Sequence, residues 1–118
     1  MKKIISLCLL SLTLSQSHGI FAHAVITDYS LKITPIHANR PDKVELSFNS
    51  KIELGLSQVF LVSKGDKHEL LQVSNGSKQG QIIIHIPALG SGDYALRFKV
   101  FAADGHLTED VIHFSVSQ

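Results

Sequence analysis

From Asp93 to Ala102 the chain alternates with a period of two. Tyr94, Leu96, Phe98 and Val100 are apolar, and Ala95, Arg97 and Lys99 between them are small or charged. Successive side chains of a strand point to opposite faces, so this stretch reads as a strand with one buried and one wet face. The same pattern sets Ile112, Phe114 and Val116 against His113 and Ser115, and Val44, Leu46 and Phe48 against Glu45 and Ser47. After residue 22 no segment carries the 3.6-residue period of a surface helix. The spacing predicts strands at Tyr29–Thr34, Lys43–Asn49, Gln58–Ser63, His68–Val73, Gln81–Ile86, Asp93–Ala102 and Glu109–Ser117. Turn residues separate them at Lys64-Gly65-Asp66, Ser74-Asn75-Gly76 and Leu89-Gly90-Ser91-Gly92. Seven short strands in about 90 residues predict an all-β fold, a seven-stranded antiparallel Greek-key β-sandwich or barrel of immunoglobulin-like or cupredoxin-like form. Within it, Leu89 to Tyr94 fits a tyrosine corner, in which the hydroxyl bonds back to nearby backbone.

The first 22 residues read differently. Lys2 and Lys3 precede an apolar run from Ile4 to Leu14, and the polar Ser15-Gln16-Ser17-His18-Gly19 follows. That is the layout of a cleavable export signal. The run is too short to span a bilayer. Two cuts fit the end of the leader. Ala22-His23-Ala24 satisfies the small-x-small rule for a cut after Ala24, and a cut after Ala22 leaves His23 as the first residue of the exported chain. With the cut after Ala22, residues 1–22 are removed and 23–118 form one domain, expected to be a periplasmic monomer.

Charge and sulfur content narrow the function. Lys2 and Lys3 leave with the leader, so nine basic residues face ten acidic ones. Such a balance gives no electrostatic footprint for nucleic acid, and no basic amphipathic stretch is present for a membrane surface. Cys8 and Met1 are the only sulfur-containing residues, and both lie in the leader. A disulfide framework is excluded, and any metal site must use nitrogen and oxygen. That donor set suits Cu(II) or Zn(II) and not a dedicated Cu(I) site.

Such a donor set is at hand if His23 begins the chain. An N-terminal histidine offers its α-amine and Nδ1 in one chelate ring. The α-amine titrates near pH 8 and the imidazole near 6.5, so a strongly bound metal displaces both protons. Asp104-Gly105-His106 adds a carboxylate and a second imidazole, with Gly105 permitting a tight turn between them. The candidate ligands are therefore His23, Asp104 and His106, for Cu(II). Asp-Gly-His is also an ordinary turn before a strand, and the tripeptide alone does not decide between these readings. His113, on the outer face of the last predicted strand, and His37, in the loop Pro35-Ile36-His37-Ala38, are candidates for a supporting role.

Several stretches taken in order resemble the CopC-type periplasmic copper-binding proteins. They are His23-Ala24 after a leader, Lys43-Val44-Glu45-Leu46-Ser47-Phe48-Asn49, Pro87 to Tyr94, and Val100 to His106 before a last strand ending Phe114-Ser115-Val116. The resemblance implies Cu(II) bound by the amine and imidazole of His23 and by Asp104 and His106. It further implies copper carriage for homeostasis or resistance, no enzymatic activity, and a CopD-type inner-membrane copper transporter as partner. The chain departs from the pattern in two places. Ser50 stands where a glutamate is usual, leaving Glu53 as the nearby carboxylate, and His37-Ala38 occupies the usual early turn.

Two other functions use the same residues. A metal-free secreted immunoglobulin-like interaction module follows if the exported chain begins at Val25. A histidine-brace copper oxidase would need an aromatic binding face, and the chain offers two Tyr, no Trp and a few scattered Phe.

Overall fold

The computed structural model describes residues 24–32 and 35–118. His23 and the residues read as an export signal lie outside the described residues. Nine strands run in chain order among them: β1 Ile26–Tyr29, β2 Ile36–His37, β3 Asp42–Phe48, β4 Gln58–Ser63, β5 Lys67–Leu70, β6 Val73–Asn75, β7 Gln81–Ile86, β8 Gly92–Phe101 and β9 Leu107–Ser117. They form a four-stranded sheet in the order β1-β3-β7-β6 and a five-stranded sheet in the order β2-β9-β8-β4-β5. Consecutive strands β3 and β4 part into different sheets and pair again with β7 and β8, which gives the Greek-key interlock of an immunoglobulin-like sandwich.

The alternation in the sequence sets the inner faces. Val44, Leu46, Ile82, Ile84 and Ile86 from one sheet meet Val59, Leu61, Leu96, Phe98 and Val100 from the other, all buried. Phe48 and Phe98 join the layers edge to face, with ring centroids 6.0 Å apart and planes at 77°. The longest ladder is β8 with β9, ten antiparallel pairs without a bulge from Gly92↔Val116 to Phe101↔Leu107. The tyrosine corner is present. The Tyr94 hydroxyl donates to the Gly90 carbonyl at 2.9 Å, and its ring stacks on Phe114 at 5.8 Å.

Three elements differ from the expectation. Where a strand Tyr29–Thr34 was expected, β1 runs earlier, over Ile26–Tyr29, and Ser30–Lys32 form a 3-10 turn, with Ile33 and Thr34 outside the described residues. Ser30 there accepts the backbone N–H of Glu45 on its side-chain oxygen at 2.9 Å, which holds the turn against β3. The expected strand His68–Val73 is divided between the sheets. Leu71 N–H still bonds to Val59 of β4, but the carbonyl of Gln72 already accepts from His85 of β7. Two adjacent leucines interrupt the apolar–polar alternation of the sequence where the chain crosses, and only the second is buried, Leu70 being 59% exposed and Leu71 6%. The third difference is β2, a two-residue strand that pairs parallel with the end of β9.

Loss of the corner and loss of the core should differ in size. Tyr94→Phe keeps the stacked ring and removes one hydrogen bond, and should cost about 0.5–1 kcal/mol in urea unfolding. Phe98→Ala, in the closed centre of the sandwich, should cost about 3–5 kcal/mol.

Candidate metal centre

The Asp104-Gly105-His106 stretch is the tip of the β8–β9 hairpin. Beyond the last ladder pair, Ala102 N–H donates to the His106 carbonyl at 3.0 Å and Gly105 N–H to the Ala102 carbonyl at 2.9 Å. Gly105 takes a φ of 90°, a conformation that a Cβ would strain. Asp104 closes the turn on itself, its Oδ1 accepting the His106 backbone N–H at 3.1 Å. Aspartate commonly bonds the backbone two residues on in this way. Its other oxygen lies 3.2 Å from His106 Nδ1. The two side chains are therefore brought together by the tight turn that Gly105 was expected to permit. The contact holds the His106 ring against the Asp104 carboxylate, so the two candidate donors share one side of the turn.

The His106 N–H holds the Asp104 carboxyl below its ordinary value of 3.8, and the contact with the His106 ring acts in the same direction.

The segment after β3 joins this tip to the start of the described chain. Asn49 N–H donates to the Val25 carbonyl at 3.0 Å, and Asn49 Oδ1 accepts the Val25 N–H at 2.8 Å. Two residues on, the Lys51 carbonyl accepts the Ala103 N–H at 2.9 Å. Ile52 bridges Ala102, and Glu53 N–H donates to the Phe101 carbonyl at 2.8 Å. The buried Ser57 fastens the same strip from behind. Its Oγ donates to the Glu53 carbonyl at 2.8 Å and accepts the Phe101 N–H at 3.0 Å. Residues 49–53 thus touch the N-terminal strand with one end and the hairpin tip with the other.

The remaining candidates divide. Glu53 stands beside the tip through its backbone. His113 and His37 do not. His113 pairs with Ala95 on the outer face of the five-stranded sheet, and six strand steps from Leu107 put it about 20 Å along the ladder. His37 pairs with Ser117 at the opposite end of β9, about 30 Å from the tip. Neither can support a site at Asp104 and His106, because the unbroken ladder fixes both distances. Among the described residues no group of three or more His, Cys, Asp or Glu side chains is placed to share an ion. Asn49, Lys51 and Ser57 escaped the sequence reading because their part is played by backbone or by a neutral side chain, and none has a ligand's chemistry.

Two sheets interlocked as a Greek key, with a histidine-bearing hairpin tip fastened to the N-terminal strand, define a small β-sandwich domain. The CopC domain model matches residues 31–117, well over half of the sequence, and the chain belongs to the CopC family. A CopC from Methylosinus trichosporium OB3b is similar over 80% of this chain and 94% of its own, at 26% identity and a TM-score of 0.67. PcoC, a methionine-rich copper resistance protein from Escherichia coli, aligns with 80% of this chain and 99% of its own at 20% identity, with a TM-score of 0.60. A superoxide reductase from Ignicoccus hospitalis shares the fold at 13% identity and a TM-score of 0.52, covering 80% of each chain. Among curated proteins none matches the sequence.

The cause of the Asp104 shift gives a test. A folded-state value below the unfolded one means that the carboxylate stabilises the turn above the ordinary carboxylate range. That contribution is lost as pH falls through the lowered value. An NMR titration of the metal-free protein should place the Asp104 midpoint below 3.8. Most of the lowering should survive in His106→Ala, which keeps the backbone N–H.

Proposed function

We propose that this protein is a periplasmic Cu(II) carrier serving copper homeostasis or resistance. In this reading the leader is cut after Ala22. Copper is held by the α-amine and Nδ1 of His23, the imidazole of His106 and the carboxylate of Asp104, and can pass to a CopD-type inner-membrane transporter. The observation that carries the reading is the strip of residues 49–53, which bonds Val25 at one end and Ala103 at the other. Residue 23 is covalently within about 7 Å of Val25, so its donors fall in reach of the same strip.

Burial of Ala24 supports the cut. Ala24 is fully buried and belongs to the core, so a cut after it would strip a packed residue from the domain. The donors also fit the metal. Amine, imidazole and carboxylate suit the tetragonal preference of Cu(II), and divalent affinities favour copper over zinc at such a set. PcoC is described as methionine rich, whereas Met1 and Cys8 here both precede His23, so a chain beginning at His23 has no donors for a sulfur-based Cu(I) site. Zinc in place of copper, and a metal-free domain starting at Val25, are the outcomes that would displace the proposal.

Two measurements test it. Intact mass of the exported protein should correspond to a chain beginning at His23. Cu(II) titration of that chain, followed by electron paramagnetic resonance, should show nitrogen-rich binding. His106→Ala, or a single residue added ahead of His23, should each weaken it by about tenfold or more. Unchanged affinity in both would refute the ligand set.

A further inference from the structure

We infer that Asn49 is a positioning residue for the copper site, setting affinity through the N-terminal strand without touching the metal. This rests on the proposed ligand set. Asn49 is the only residue whose side chain bonds Val25 in the described structure: Oδ1 accepts the Val25 N–H at 2.8 Å, and the Asn49 backbone N–H donates to the Val25 carbonyl at 3.0 Å. Both polar backbone groups of Val25 are thereby committed to one partner. Beyond it, β1 is irregular, with a register shift between Ile26 and Asp28. Ile26 pairs with Phe48 and packs against the core, whereas Val25, between it and the buried Ala24, is 54% exposed and draws its order from hydrogen bonds. The amide clamp, with the buried Ala24, is what defines where the chain emerges.

The consequence is entropic. Two residues separate Val25 from the chelating amine. With Val25 fixed, residue 23 stays within about 7 Å of it along the chain. With the Oδ1 bond lost, Val25 keeps only its carbonyl bond to the Asn49 backbone, the direction in which the chain leaves the buried Ala24 is set less sharply, and the local concentration of donors at His106 falls. Ordering residue 23 on binding would then be charged against affinity. Asn49 suits the task because its carbonyl oxygen accepts the N–H without placing a charge beside the metal. The fixed point at the other end of the strip is Lys51, whose carbonyl holds Ala103, so the clamp and the tip share one short rigid segment.

The test uses the chain beginning at His23. Asn49→Ala should weaken Cu(II) binding roughly three- to tenfold, the size expected for one hydrogen bond. It should also broaden the paramagnetic resonance spectrum into more than one copper environment. Asn49→Asp, which keeps an acceptor oxygen, should restore a single environment. Val25→Pro removes the donor N–H, and should weaken binding as much as Asn49→Ala with no further loss in the double variant. Thr27→Ala, which loses the bond from Thr27 Oγ1 to the Ser47 carbonyl in the same strand pair, should leave the copper affinity unchanged. If His106→Ala weakens binding and Asn49→Ala does not, the clamp is wrong and the ligand set stands. If neither variant matters, both are wrong. Equal losses in Asn49→Ala and Thr27→Ala would reduce the effect to general loosening of β1 and also overturn the clamp.

Discussion

The strip of backbone from Asn49 to Glu53 is the interaction on which the end of this sandwich depends. It leaves one sheet at Phe48, bonds the N-terminal strand, crosses the open end of the core and bonds the hairpin of the other sheet. Nearly all of these contacts are made by peptide groups, which must find partners when shielded from water. The strip therefore pairs peptide groups at both of its ends, leaves the buried Ser50 hydroxyl between them without a partner among the described residues, and fixes the geometry of the candidate site by the same bonds. The Phe48–Phe98 contact stands directly behind it, so the interlayer packing and the site share one foundation.

Much of the fold was legible in the sequence because burial imposes a period of two. The strands Gln58–Ser63 and Gln81–Ile86 were read with their observed bounds, and the tyrosine corner formed at Gly90 and Tyr94. The reading erred where local pattern carries no information about which sheet a residue joins. Nothing in His68 to Val73 marks the crossing except two neighbouring leucines, and a two-residue strand such as Ile36–His37 is too short to show a period. The resemblance of motifs to the CopC proteins supplied the family, which periodicity could not.

The site was legible in a narrower sense. Asp104 and His106 could be picked out because their donor chemistry is explicit, and the structure brings them into contact. His113 and His37 have the same chemistry and no such placement, since each is held at its own distance along β9. Residue type nominates ligands, whereas the ladder register selects among them. Asn49 and Ser57 carry neutral side chains, and their part at this end of the sandwich becomes visible only when their hydrogen bonds are known.

The hairpin tip has one more consequence. Its turn is closed by the Asp104 and Ala102 contacts with backbone N–H groups, by a glycine in a left-handed conformation, and by a ladder of ten pairs beneath it. The hydrophobic core lies in the layers below and draws nothing from the ligands. In a zinc finger the ion is part of the fold, and its loss is unfolding. Here the fold and the candidate ligands are separable. Loading and unloading would cycle a rigid container, so the lifetime of a loaded protein would be set by ligand exchange at its rim and not by the opening of its interior.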